Sequence, residues 1–397
     1  MINTNQQYNL SVYLIDTLNN EIPINSENVV SLTISESILE ILPRLDMMIN
    51  NAGSFMETFP LTDKMRVRVV LESMHRTVGN LKDDPNYVDA TFVISNYFAM
   101  ADPIENKYFT FKISGYLSYP YTSIRFSSFK GSSDDVIESV ANIAGWKSDI
   151  RAKGGESIRW IQNNNSLNFL YHINERAYIA GDGVFIYSNL KNTLIYTSLY
   201  TEIGKSSSKR AVYNQNIEYA YLDKTVMNYN GYNLSNNTCL YNNKMLYGYD
   251  YMYFNGVDRL TQTVRANEKM TTYYNRTKLI PKEAITNFDD YGLILDDDFE
   301  NTIFKGKIQN DYFRHLLFSN TVELNINSSS ETELFDKITL DLRSTTAPNT
   351  VSEPFSGDYL VGAITHSLTQ NIPYSKKVIL CRFGINDYDS VYVKDIV

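Results

Sequence analysis

The chain has 397 residues, 43% of them hydrophobic, which is enough for several domains with a sizeable core and too apolar for a disordered chain. A formal net charge of −9 and a sequence pI near 5.1 argue against a surface built to grip phosphates, since that draws on clustered Lys and Arg. No apolar run approaches the roughly 20 residues of a membrane-spanning helix, and the polar start Met1 to Asn9 lacks the cationic and apolar regions of a secretory signal.

Residues 8 to 120 carry five alternating runs, Leu10 to Leu14, Val29 to Ile34, Met65 to Leu71, Thr91 to Ile94 and Tyr108 to Ile113. With turn signals between them, they predict a barrel or sandwich. Between the second and third runs, Glu36 to Leu45 is too rich in Leu and Ile for a loop and fits a short helix or an irregular segment stopped at Pro43. From Lys130 the period changes. Ser133 can cap a helix with Asp134 and Asp135 in its first turn, a buried stripe of Val136, Ile137, Val140 and Ala144, and Gly145 at its end. A second helix follows, capped by Asn165 or Ser166, with Leu167, Leu170, Ile173 and Ala177 on one face and Gly181 as a left-handed stop. Val184 to Tyr187 and Thr193 to Thr197 then form a hairpin around the turn Asn189 to Asn192.

Residues 204 to 298 open with the basic, Ser-rich Gly204 to Arg210 and continue through Asn- and Tyr-rich segments, an inserted small β domain or elaborated loops. The aromatic run Tyr247 to Phe254 is either a strand buried on one face or a partner surface. Asp296, Asp297 and Asp298 cap a helix from Phe299 to about Ser319, with Phe299, Ile303, Phe304, Ile308 and Leu316 on one side. They lack the alternating oxygen ligands and glycine turn of a calcium loop. Val322 to Ile326, Glu333 to Leu342, Ser356 to Leu368 and Lys377 to Asn386 complete the chain as strands and their lead-ins.

In order and motif these signals resemble the tail hub proteins of phages, including the baseplate hubs of contractile tails and the hub half of type VI secretion spikes. The first motif is Ser133, Val136, Ile137, Val140, Ala141, Ala144, Gly145 and Trp146. The second is Gln162, Ser166, Phe169, Leu170, Ile173, Glu175 and Gly181 before a strand pair. The third is Ser356, Gly357, Tyr359, Val361, Ile364 and His366, followed by Tyr374 and a strand carrying Arg382. Phe335 stands where the family usually has glycine. The resemblance covers residues 1 to 205 and 300 to 397 and is weakest in the insert.

What the resemblance implies is an α+β, mainly β fold with two tail-tube-like β-barrels, helix–hairpin elements and an inserted small β-rich domain. The first barrel would occupy 1–125, the helix–helix–hairpin part of the second unit 126–203, the insert 204–298, and a helix with the second barrel 299–397. The implied role is a homotrimeric baseplate hub of the virion, assembled in the host cytoplasm. It would close the distal end of the tail tube, adapt a six-fold tube to a three-fold spike, and contact tube, central spike and wedge proteins while DNA passes through without being held.

The residues offer little to a catalytic reading. None of His75, His172, His315 and His366 is spaced from another like a zinc pair, and the G-x-S-x-G of a hydrolase elbow is absent. His172 and Glu175 form an H-x-x-E without a second histidine, a solvated helix face. His366, beside Ile364 and Leu368, reads as a satisfied half-buried histidine. Cys239 and Cys381 lie far apart and read as free thiols in a reduced compartment. No enzyme, cofactor, metal or catalytic residue is expected. The alternatives are a receptor- or glycan-binding tail protein using the Tyr-rich insert, and a cell-wall hydrolase whose paired carboxylates meet only in three dimensions. The basic patch Lys205, Lys209 and Arg210 is the one feature that could hold DNA.

Overall fold

The alternating runs of the first third fold into one antiparallel array. It comprises β1 (Tyr8–Ile15), β2 (Glu21–Ile24), β3 (Val29–Ser37), β4 (Arg44–Asn50), β5 (Arg66–Ser73), β6 (Val88–Ala101) and β7 (Phe109–Leu117), in spatial order β3-β4-β7-β6-β5-β1-β2. The computed structural model describes residues 8–50, 65–73, 87–101, 109–118, 124–206, 209–213, 225–236, 250–255, 260–265, 302–326, 332–343, 352, 355–369 and 372–382. Every second side chain faces inward, as the pleat requires: Leu32 and Ile34, Leu45, Met47 and Ile49, Val67, Val69 and Leu71 are all buried. Of the two readings for Glu36 to Leu45, the irregular one holds. β3 runs to Ser37, Ile38, Ile41 and Leu42 are buried in turns, and β4 begins directly after Pro43.

The middle of the chain contributes β8 (Ser127–Gly131), α1 (Ser133–Ala144), β9 (Lys147–Ile150), β10 (Ile158–Gln162), α2 (Ser166–Arg176), β11 (Val184–Ser188), β12 (Thr193–Ser198) and α3 (Leu199–Ile203). α1 is capped differently from the sequence expectation. The N-cap is Ser132, which makes no side-chain cap bond, and the orphan amide of Ser133 donates instead to Glu156 Oε1 at 2.8 Å. Gly145 ends α1 with φ of 72°, as expected of a left-handed cap. For α2 the cap is Asn165, whose Oδ1 accepts from the Asn168 amide at 2.8 Å.

The helix itself stops at Arg176, short of Gly181, which takes a φ of 68° in a separate turn. The remainder of the chain explains that early stop. It holds β13 (Lys209–Tyr213), β14 (Val226–Asn236), β15 (Asp250–Asn255), β16 (Leu260–Arg265), α4 (Thr302–Leu317), β17 (Asn320–Ile326), β18 (Lys337–Asp341), β19 (Gly357–Thr369) and β20 (Ile372–Arg382). Side chains of α4 satisfy the C-terminal carbonyls of α2: Asn310 Nδ2 donates to Ala177 O at 2.8 Å and Arg314 to Asn174 O at 2.6 Å. With its last carbonyls bonded from outside, α2 has no need of a glycine motif.

Strands β18-β13-β14-β17-β20-β19 are hydrogen-bonded in a ring, β19 returning to β18, which makes a closed six-stranded barrel. Two of its strands, β13 and β14, come from the stretch the sequence placed in the insert; β15 and β16 pair there as a separate antiparallel ribbon. Of the two expected barrels, this one closes by hydrogen bonding. In the first array β2 and β3 are joined by the short turn Ser26–Asn28 and share no ladder among the described residues.

The two halves are one sheet of thirteen strands. On one edge β19 pairs through Gly357–Leu360 with β18 and through Ala363–Thr369 with β3, while its other edge pairs with β20. The β11–β12 hairpin lies between the two cores and is buried on both faces. Val184, Ile186, Leu194 and Tyr196 pack into the first core with α1 and α2. Phe185, Tyr187 and Ile195 pack into the second with the closed barrel.

Candidate functional site

The histidines sit in structural settings. His366 on β19 is buried, with Nδ1 2.6 Å from Tyr374 Oη, and burial holds its pKa down at about 3, so it is a neutral ring. His172 stands edge-on to Trp160, and burial and the adjacent Arg176 lower its pKa. His315 is exposed with Nδ1 2.6 Å from Asp311 O. Among the described residues no group of three His, Cys, Asp or Glu could hold a metal ion. His75, Cys239, Asp296, Asp297 and Asp298 lie outside the described residues, as do the side chains of Ile303, Phe304, Ile308 and Leu316. Cys381 is a buried free thiol bonded to Leu360 O at 3.3 Å.

The buried carboxylates are likewise engaged. Glu156 accepts from the amides of Ser133 and Tyr178, Asp182 from that of Tyr200, and Glu202 from Arg151 and Thr197. Burial raises Asp182 to about 6. The basic patch is neutralised in place: Lys205 bonds Glu202, Lys209 Nζ lies 2.6 Å from Asp336, and Arg210 pairs with Asp341.

What the geometry concentrates at the seam between the halves is a set of buried titratable side chains. Glu36 on β3 is opposite Ile364 of β19, His366 is opposite Lys376 of β20, and Glu36, His366 and Lys376 are all buried. Glu36 accepts from the Leu190 amide at 3.1 Å, so the loop of the central hairpin also reaches the seam. Burial lifts the Glu36 carboxyl to about 7, against the opposing pull of Lys376. The sequence reading passed over Glu36 and Lys376, although the signal was there. The alternation that puts Leu32 and Ile34 inside also puts Glu36 inside, and Val378 and Leu380 do the same for Lys376.

A second concentration is apolar and exposed. β8 and β10 form a two-stranded ribbon. One face packs on α2 through Trp160 and through Phe129, which stacks on Phe169 with ring centroids 5.6 Å apart. The opposite face turns Phe126, Ile124 and Ile161 to solvent.

No family model matches the chain, and no curated protein matches its sequence. In fold it is similar to a tail protein from Neisseria meningitidis MC58, with a TM-score of 0.52 and 10% identity over 95% of this chain and 96% of that one. It is similar also to the 43 kDa tail protein of prophage MuSo2 from Shewanella oneidensis, at 0.51 and 11% over 94% and 98%. A component of the E. coli type VI secretion system aligns at 0.42 and 9% over 91% and 76%. The resemblance to phage tail proteins therefore holds at the level of the fold, across nearly the whole length.

Proposed function

We propose that the chain is the structural hub of a phage tail, a trimeric ring at the distal end of the tail tube that adapts a six-fold tube to a three-fold spike. In this role it contacts tube, central spike and wedge proteins, forms part of the DNA conduit and performs no catalysis. The observation that carries the reading is the pairing of a near-full-length tail-protein fold with a two-lobed build, in which two β units of one chain are locked by the shared strand β19. Three copies of a two-lobed chain present six β units around a ring. Engagement of the buried carboxylates and histidines in structural bonds supports a non-enzymatic role. Mass photometry and cryo-EM of the purified chain, alone and with its tube and spike proteins, test it. A three-fold ring is expected, and a strict monomer under all of these conditions overturns the proposal.

A further inference from the structure

The buried groups of the seam lie where the two cores meet. Glu36 of β3 is in register with Ile364 of β19 and, across it, Val378 of β20; two residues along, Ile34, His366 and Lys376 form the next row. Leu32 and Ile34 belong to the first core, while Ile38, Ile364 and Val378 belong to the second. Glu36 therefore interrupts the apolar side of β3 at the boundary between them. Against it lies the turn of the central hairpin. The Leu190 amide donates to Glu36 Oε2 at 3.1 Å, and beside it the amide and Oγ of Ser188 both donate to Ile41 O, at 2.9 and 2.6 Å.

That turn is held together from within. Asn189 Oδ1 accepts from the amides of Lys191 and Thr193, and the Asn189 amide donates to Thr193 O at 3.2 Å. Lys191 and Asn192 are exposed and Leu190 is half-buried. Lys191 Nζ reaches Glu333, just before β18, at 3.4 Å, in an exposed ion pair of little worth. The turn can thus move as one piece, giving up its bonds to Glu36 and Ile41 while keeping its own. The seven pairs that join β3 to β19, Ser37 with Ala363 through Ser31 with Thr369, are no part of that movement.

We propose that the turn Asn189 to Asn192 is a proton-operated lid on the seam, closed over a neutral Glu36 and lifted when that carboxyl ionises. The titratable and charged groups around Glu36 come from four places: His366 on β19, Lys376 on β20, Lys191 in the turn and Glu333 before β18. His366 is a neutral ring bonded to Tyr374. The Leu190 amide, Lys376 and Lys191 favour the carboxylate and Glu333 opposes it, yet burial outweighs them and the closed lid holds the proton up to about pH 7. Lifting the turn lets water reach the carboxyl and returns it toward its ordinary 4.5. Because the closed lid binds the proton more tightly, rising pH favours the open one, by up to about 70-fold between pH 5 and pH 8. The opening is local, leaving the lobes joined.

The test is amide hydrogen exchange of the full chain from pH 5 to pH 8, corrected for the intrinsic pH dependence of exchange, in the parent, Glu36→Gln and Lys376→Met. Ser188 and Leu190, whose amides bond across the lid, are the reporters. In the parent their protection should fall by tens of fold as pH rises and level off above about pH 7. Glu36→Gln keeps an acceptor for Leu190 but cannot ionise, so its protection should stay flat. Lys376→Met removes a cation that favours the carboxylate, so the fall should extend to higher pH. Urea below the unfolding transition should leave the reporters unchanged while speeding exchange at a core amide such as Val378, because a lifted turn exposes little surface. Protection that is flat in the parent, or falls equally in Glu36→Gln, overturns the lid. So does a Lys376→Met profile that levels off at the parent's pH, and so do reporters as sensitive to urea as Val378, which would mean that they exchange only when the whole chain unfolds.

Discussion

Phe335 shows how a side chain can hold a backbone geometry it does not favour. Its φ is 65°, a left-handed conformation that costs a non-glycine residue about 1–2 kcal/mol. Yet the ring is buried, edge-on to Phe185 at 5.1 Å and tilted against Tyr187 at 5.7 Å. Truncating a buried Phe to Ala costs about 3–5 kcal/mol, so burial outweighs the strain and the turn keeps the shape expected of glycine. Phe335→Gly should then be less stable than the parent but more stable than Phe335→Ala, by about 1 kcal/mol. Urea unfolding of the three proteins checks the order, and an alanine variant at least as stable as the glycine one contradicts the strain argument. Glu36 is the residue whose ionisation sets the seam. Its carboxyl is raised from 4.5 to about 7 by burial, with Lys376 and Lys191 opposing the shift and Glu333 adding to it. The folded chain thus holds a proton that the unfolded chain has released. Stability from this group is present below about pH 4.5 and lost as pH rises to about 7, on the order of 3 kcal/mol in all. His366 acts in the other sense, its stability falling as pH drops from 6.5 toward 3. Glu36→Gln removes only the first effect, so it should gain on the parent between pH 5 and pH 8 by a few kcal/mol. An offset between the two proteins that does not change with pH would mean that Glu36 is ionised throughout.

At the scale of elements, the decisive contact is α4 across the end of α2. Gly306 makes it possible: a Cβ there would lie 2.5 Å from Arg176 O and 2.8 Å from Ala177 O, both rigid backbone atoms. In an open helix Gly→Ala stabilises by about 1 kcal/mol. Here Gly306→Ala should destabilise by about 1–3 kcal/mol through overpacking, and a raised melting temperature would show that the helices have room between them. This contact also marks where sequence reasoning stopped. The turn Asn189 to Asn192 is a local signal and falls where the sequence puts it, with Asn189 Oδ1 accepting from the amides of Lys191 and Thr193; the stripes hold in Val136, Ile137, Val140, Leu170 and Ile173, while Ala144 and Leu167 are half-buried, Ala177 lies just past α2 and Phe169 is buried in addition. Gly181 reads from sequence as the end of α2 because the side chains that satisfy that helix lie 133 and 140 residues further on. β4 was hidden by the Leu-rich segment around Pro43. β13 and β14 were hidden because their composition is polar and their partners β17 and β18 are distant in sequence. The aromatic run near Tyr253 does form a strand, β15. The ribbon face is illegible for a different reason: Ile124 and Phe126 alternate with polar residues as a half-buried strand does, Ile161 follows Trp160 in an apolar pair, and neither pattern says which face is covered.

For the whole molecule, the thirteen-stranded sheet makes the orientation of the two lobes a property of hydrogen bonding rather than of a linker, which is what the proposed ring between tube and spike would need. Its charge bears on what can pass through such a ring. The chain carries −9, so three copies in the proposed ring would make a strongly acidic assembly. Each phosphate contact by Lys or Arg would slow a passing duplex, so a conduit should repel rather than grip it. Lys205, Lys209 and Arg210, the patch that the sequence left open to DNA, are already occupied by Glu202, Asp336 and Asp341. Recruiting them to phosphate would require breaking those pairs. Titrating labelled duplex against the purified chain at low and moderate salt should therefore give no salt-dependent affinity at physiological ionic strength. Replacing Asp336 and Asp341 with Asn frees Lys209 and Arg210 and should introduce weak binding that falls steeply with added salt. Sub-micromolar binding by the unaltered chain would overturn the passive conduit and assign the assembly a DNA-gripping role.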